Sequence, residues 1–114
     1  MQVPLQIAWH DVHKSDAAED DIRSQLASLE EQFDIIIGCR VTLELAHRHH
    51  KVKGNPLEVK AVFTVPQGEV VVHQIAEGPT PADLHLAIKG AFEAARRQLR
   101  TKQDRLRGAV KHKD

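Results

Sequence analysis

The sequence has few of the residues on which disulfide-bonded, zinc-binding and membrane proteins depend. Its 114 residues include one cysteine, one tryptophan and no tyrosine. A single cysteine excludes an internal disulfide and a cysteine-rich zinc site. No apolar run approaches the roughly 20 residues that a membrane-spanning helix needs, and the first residues lack the basic region and cleavage pattern of a signal peptide. We therefore expect a cytoplasmic protein with no membrane partner.

The sequence also lacks the motifs on which catalysis commonly depends. It contains no glycine-rich phosphate loop and no nucleophile elbow. His10, Asp11 and His13 resemble an acid–base pair, but adjacent polar residues are common in loops. Cys39 alternates with apolar residues, which favours a small buried side chain over a nucleophile. We therefore predict that the protein is not an enzyme and has no cofactor and no small-molecule substrate.

Alternating apolar residues predict four strands. They cover residues 3–9, 39–45, 57–65 and 69–76, each with apolar side chains on one face. Pro66-Gln67-Gly68 predicts a tight hairpin turn between the last two strands. The inward face of the fourth strand is ambiguous, because residues 70–72 are three consecutive valines.

Apolar residues at helical spacing predict two helices. The first begins at Ser15 or Asp16 as its N-cap. The second has Thr80 as N-cap and Pro81 in its first turn, and Gly108 predicts its end. The predicted buried stripe of the first helix is Ile22, Leu26, Leu29 and Phe33. The predicted stripe of the second is Leu84, Ile88, Ala91, Ala95 and Leu99, with Phe92 beside it.

The predicted order is β-α-β-β-β-α, an α+β fold. One-sided alternation requires that one sheet face be covered, so we expect a four-stranded, mostly antiparallel sheet with both helices packed on one face. The other face should be in solvent. We assign residues 1–107 to a single domain and residues 108–114 to a flexible C-terminal tail.

Charge is unevenly distributed along the chain, although the formal net charge is zero. Residues 1–80 carry 7 Lys/Arg and 12 Asp/Glu, a balance of −5, whereas residues 81–114 carry 9 and 4, a balance of +5. The cations of the predicted second helix are Lys89, Arg96, Arg97, Arg100, Lys102, Arg105 and Arg107. The planar guanidinium of arginine suits phosphate oxygens, so this row favours nucleic acid. The alternative is a solvated face with cations at the negative end of the helix dipole.

The stretch from His47 to Asn55 predicts a polar loop between two strands. His47 and His49 are a feasible pair of metal ligands, but no cysteine or acidic residue lies nearby in sequence to complete a tetrahedral site. We therefore predict no metal. Arg48 and Lys51 in the same loop are candidates for contacts with RNA.

Five segments together carry a family resemblance over most of the chain. They are residues 29–34 (Leu-Glu-Glu-Gln-Phe-Asp), 73–78 (His-Gln-Ile-Ala-Glu-Gly), 83–88 (Asp-Leu-His-Leu-Ala-Ile), 97–99 (Arg-Gln-Leu) and 105–107 (Arg-Leu-Arg). In order and spacing they resemble the short form of the ribosome hibernation promoting factor and ribosome-associated inhibitor family, also called sigma-54 modulation proteins. The resemblance implies a fold similar to that of a double-stranded RNA-binding domain.

The resemblance also implies a stress-response translation inhibitor that binds the small ribosomal subunit and its rRNA near the decoding region. Such a factor holds ribosomes idle by blocking tRNA and mRNA sterically, with rRNA contacts at Arg97, Arg105 and Arg107. Two other functions stay open: a general structured-RNA-binding module acting off the ribosome, and a protein–protein adaptor that uses the free sheet face. We expect a monomer off the ribosome, without the ribosome pairing produced by the long form's C-terminal domain.

The first helix departs from the family pattern. Short members carry lysines on its exposed face where this chain has Gln25 and Ser28, and the usual Asp-Arg-Ile after the helix is Asp-Ile-Ile at residues 34–36. The first helix is acidic, with Arg23 as its one cation. We therefore expect a weaker basic surface on this helix than in the family.

Overall fold

The computed structural model describes residues 3–45, 56–78 and 80–111, the last three of these by backbone alone. In chain order the elements are β1 (Leu5–His10), α1 (Asp16–Gln32), β2 (Gly38–Leu45), β3 (Leu57–Val65), β4 (Gly68–Ile75) and α2 (Pro81–Lys111). This order confirms the predicted β-α-β-β-β-α arrangement of an α+β fold. Neither helix in this described part of the chain is apolar enough over a sufficient length to cross a membrane.

The four strands form one mixed sheet in the order β1-β2-β3-β4. β1 runs parallel to β2, and the other neighbouring pairs are antiparallel, so the sheet is mostly antiparallel as predicted. Parallel neighbours need a crossover connection, which α1 supplies. The predicted hairpin turn joins β3 to β4: Val65 pairs with Gly68 across Pro66 and Gln67, and Gln67 has a φ of 67°.

The strand register aligns apolar side chains across the sheet. One such row consists of Ile7, Val41, Ala61 and Val72. Val70 and Val72 are buried, whereas Val71 between them is 40% exposed, which resolves the inward face of β4. On the other face the register places Arg40 and Lys60, both exposed. This face is open to solvent, as predicted.

Both helices pack on the apolar face of the sheet and share one core. The buried residues of α1 are Ala18, Ile22, Leu26 and Leu29. Those of α2 are Ala87, Ile88, Ala91, Phe92, Ala95 and Leu99. At the centre, the rings of Phe63 and Phe92 meet edge to face at a centroid distance of 5.6 Å. The predicted helical stripes therefore form the core, with Leu84 only partly buried.

Side-chain caps fix where each helix begins. Ser15 is the N-cap of α1, and its Oγ accepts a hydrogen bond from Ala18 N at 3.1 Å. At α2, Thr80 Oγ1 accepts from Asp83 N at 3.2 Å while Asp83 Oδ2 accepts from Thr80 N at 3.1 Å. These two reciprocal bonds satisfy amides that have no partner within the helix.

The predicted end of the second helix at Gly108 is wrong, because α2 continues to Lys111. A glycine ends a helix by adopting a positive φ, and Gly108 is not among the residues with positive φ. The division into a domain of residues 1–107 and a flexible tail stays a prediction.

Candidate nucleic-acid interface

The second helix is anchored in the core at its start and extends into solvent at its end. It has 31 residues, a length of about 46 Å at 1.5 Å per residue. Leu99 is its last buried residue among those described, and no side chain from 100 to 108 is buried. The C-terminal part of α2 therefore presents its side chains beyond the core.

Three predicted cations line a groove between α2 and the start of β4. Arg97, Lys102 and Arg105 surround a space of about 340 Å³ together with Gln98 and Thr101 of α2 and Glu69 and Val70 of β4. We call this space the α2–β4 groove. Lys102 Nζ reaches over the hairpin, where it would lie 3.4 Å from a Cβ placed on Gly68. The glycine therefore leaves room for the lysine side chain.

The remaining cations of α2 form a second row on another side of the helix. Lys89, Arg96, Arg100 and Arg107 are spaced by seven, four and seven residues, which places them on one helical face. We call them the outer row. Arg96 donates a hydrogen bond to the Glu93 carboxylate. The Arg100 guanidinium lies 5.8 Å from the centroid of the Phe33 ring at the end of α1, a cation–π contact. Two members of the outer row are thus engaged within the molecule.

The first helix adds little positive charge beside these rows. Arg23 donates to the Glu19 carboxylate at 2.9 Å, and Lys14 Nζ lies 3.5 Å from the same group. The hydrogen bond from Arg23 lowers the pKa of Glu19. Gln25 is half-buried and Ser28 is exposed, at the positions where the family pattern has lysines. The positive surface of the described residues is therefore concentrated on α2.

Four of the groove residues were not predicted as site residues: Glu69, Val70, Gln98 and Thr101. Gln98 and Thr101 share a helical side with Arg97 and Arg105, so their spacing was a usable signal. Glu69 and Val70 come from β4 and border the groove through tertiary packing alone, which no local sequence pattern indicates.

Two predicted contact residues, Arg48 and Lys51, lie outside the described residues, as does the cluster His47–His50. Their predicted roles stay predictions. Among the residues that the structure describes, no group of three or more His, Cys, Asp or Glu side chains is placed to hold a metal ion.

The structure places the residues considered for catalysis in different surroundings. Cys39 is 6% exposed, and burial raises the pKa of its thiol from 9.0 to about 12, so the nucleophilic thiolate does not form at neutral pH. Asp11 and His13 line a cavity of about 490 Å³ between the first turns of the two helices. In the same cavity, His85 Nδ1 lies 2.6 Å from Asp21 Oδ2, a bond that joins α2 to α1.

Solved structures share this fold. A ribosomal subunit interface protein from Coxiella burnetii superposes with a TM-score of 0.69 at 12% identity, over 90% of this chain and 99% of that chain. The N-terminal domain of Protein Y from Thermus thermophilus superposes with a TM-score of 0.63 at 22% identity, over 87% of this chain and 96% of that chain. At such identities the likeness shows the fold.

Comparison of this sequence with known protein families identifies the family to which the chain belongs. No curated protein matches the chain, but the family described as Sigma 54 modulation protein / S30EA ribosomal protein matches residues 5–107. This match spans every strand, all of α1 and all but the last four residues of α2, and it confirms the resemblance found in the sequence. The chain therefore belongs to the Sigma 54 modulation protein / S30EA ribosomal protein family, whose members are ribosome-associated modulation factors and not enzymes.

Proposed function

We propose that this protein binds the small ribosomal subunit near the decoding region and inhibits translation by occupying the space of tRNA and mRNA. Its family is ribosome-associated, which also implies a cytoplasmic location. One structural neighbour is named a ribosomal subunit interface protein. The observation that carries the proposal is the convergence of Arg97, Lys102 and Arg105 on a groove in the part of α2 that extends beyond the core.

Phosphate neutralisation explains how this part of α2 would bind rRNA. Each phosphate contact releases condensed counterions, so the logarithm of the affinity falls by about 0.7–0.9 per contact for each tenfold rise in salt. The three groove cations alone would give a slope of about −2 to −3, and the outer row would add to it. Steric inhibition of this kind requires no reaction chemistry and no second copy of the protein.

The proposal is tested by co-sedimentation with purified small subunits at two salt concentrations. We expect binding at the lower concentration and a steep loss at the higher one. Reversing the charge of Arg97, Arg100 and Arg105 to Glu should abolish binding with little change in melting temperature, because exposed charges contribute little to stability.

A matched control reverses three cations away from α2, namely Arg23, Arg40 and Lys60, with the same change in net charge. This variant should keep sedimenting with small subunits. Equal loss in both variants would mean that net charge alone decides binding. Unchanged binding of the α2 variant would exclude the second half of α2 and point to the loop of residues 47–53.

The same assay separates the general RNA-binding module. Such a module would be displaced from small subunits by an excess of unrelated structured RNA, whereas a ribosome-specific factor would stay bound. The adaptor on the open sheet face predicts salt-insensitive association that survives the α2 charge reversals.

A further inference from the structure

β4 lies at the edge of the sheet and directs one row of backbone hydrogen-bonding groups away from it. The strand order ends at β4, which pairs with β3 on its inner side. Ala76 N donates to Leu57 O at 2.8 Å, and the register continues from there to Gly68, so the even-numbered residues bond to β3. Because the two sides of a strand alternate in an antiparallel ladder, the N–H and C=O groups that point outwards are those of Glu69, Val71, His73 and Ile75.

Within the described part of the chain, these outward backbone groups make no hydrogen bond. Proteins commonly protect an exposed edge strand with lysine, proline or a bulge. β4 contains no lysine and no proline, and its pairing with β3 is unbroken from Gly68 to Ile75. It also has eight residues, against six in β1 at the opposite edge. The outer side of β4 is therefore a template along which another strand can form a ladder.

A strand added to β4 would meet different chemistry on its two faces. On the helix side it would lie beside the α2–β4 groove, where Arg97, Lys102 and Arg105 border a space next to the first residues of β4. On the open side it would lie beside Val71 and Ile75, which are 40% and 46% exposed. Since the side chains of a strand alternate between its faces, the complementary sequence alternates carboxylates with apolar residues.

We infer that β4 binds an extended acidic segment of another protein by strand addition, with carboxylates directed at the groove cations and apolar side chains beside Val71 and Ile75. In this mode of recognition, main-chain hydrogen bonds provide affinity and alternate side chains provide specificity. The inference goes beyond rRNA binding. Because both ligands would need Arg97, Lys102 and Arg105, the acidic segment and RNA should exclude each other from the groove.

A second copy of this chain is another possible occupant of the edge, and charge argues against it. Antiparallel pairing of two β4 strands would place both α2 helices on the same face of one continuous sheet. Since α2 packs on β4 and β3, the groove cations of the two copies would approach each other across the shared edge, and like charges repel. An acidic segment brings the opposite charge to the same place.

Fluorescence anisotropy at low salt, with a labelled peptide of alternating glutamate and valine as long as the eight residues of β4, tests the inference. This peptide should bind, and a peptide of alternating lysine and valine should not. Methylating the backbone nitrogens of every second residue removes the donors on one side of the peptide. Methylation of either the glutamates or the valines should weaken binding at least about tenfold. Methylation of the other set should have little effect, because successive N–H groups point to opposite sides of a strand.

Variants of the protein test the edge and the cations separately. Val71→Pro removes one outward N–H, at a position where an edge strand tolerates proline, and should weaken the acidic peptide. Val71→Ala keeps the N–H and should bind nearly as well as the wild type. Lys102→Glu should weaken binding by about three- to tenfold, whereas Arg96→Glu, the same change in the outer row and outside the groove, should have little effect. If Val71→Pro does not fold, the two methylated peptides decide the same point.

Four results would overturn the inference: no binding of the acidic peptide, equal effects of the two methylation patterns, equal loss in Lys102→Glu and Arg96→Glu, or simultaneous binding of the peptide and an RNA hairpin. Binding of the hairpin without binding of the peptide would assign the groove to nucleic acid alone. A wild-type dimer that Val71→Pro dissociates would assign the edge to a second copy. Sedimentation with small subunits in the absence of peptide decides the proposed function separately, since a protein that binds the peptide but does not sediment would keep the inference and refute the ribosomal proposal.

Discussion

Replacing Leu99 with alanine should destabilise the protein severely, because this residue closes the core where α2 leaves it. Leu99 is 0% exposed and is among the largest fully buried side chains. Truncating a buried leucine removes its transfer free energy and leaves a cavity, at a cost of about 2–5 kcal/mol. Domains of this size have a total stability of about 5–15 kcal/mol. The expected fall in melting temperature is roughly 10–30 °C.

Thermal and urea denaturation followed by circular dichroism measure this effect. Leu86→Ala is the matched control, since the same substitution is made in the same helix at a side chain that is 63% exposed. It should change the free energy of unfolding by no more than about 0.5 kcal/mol. Leu99→Ala should still sediment with small subunits well below its melting temperature. A cost under about 1 kcal/mol would refute the reasoning, since it would mean that the core does not anchor this part of α2. Lost binding in a folded variant would instead place Leu99 in the interface.

Two further predictions concern local features of the fold. Cys39→Ala should lower stability modestly and leave ribosome binding intact. Because burial raises the pKa of the Cys39 thiol from 9.0 to about 12, the wild type should lose stability as the pH rises from about 9 towards 12, a loss absent in Cys39→Ala; equal alkaline sensitivity of both proteins would contradict this. Thr80→Ala should cost about 0.5–2 kcal/mol by removing the cap of α2. The hydrogen bonds from Thr80 lower the pKa of Asp83, so their contribution is present above the unfolded-state pKa and is lost as the pH falls through the folded-state pKa. Melts from neutral to acidic pH should therefore converge for Thr80→Ala and the wild type.

Much of the fold was predictable because burial leaves a local pattern. Alternation in β3 predicted its bounds, Leu57–Val65, as the structure has them. The valines of β4 could not be assigned from period alone, since any of the three can face inward until pairing with β3 fixes the register. The end of α2 was missed for a related reason. A glycine ends a helix only where the backbone turns left-handed, and Gly108 keeps helical backbone geometry within α2.

The candidate interface was predictable only as a set of charges. Arg97 and Arg100 were found because helical spacing and composition are properties of α2 alone. Which surface each arginine lies on depends on the element that packs against that side of α2. Arg97 faces the groove beside β4, whereas Arg100 lies over Phe33 at the end of α1. Helical spacing alone puts Arg100 on one face with Arg96 and Arg107 and Arg97 at its flank, but it does not indicate what packs beside each of them.

The division of α2 changes how the family's interface is to be understood in this chain. A basic surface shared by both helices is weak here, because the one cation of α1 is paired with Glu19. Within the described part of the chain, Arg96 and Arg100 of the outer row contact Glu93 and Phe33, whereas the cations of the α2–β4 groove have no such ion pair or ring contact. We therefore expect affinity for phosphate in this chain to depend on α2 alone rather than on a surface shared by both helices.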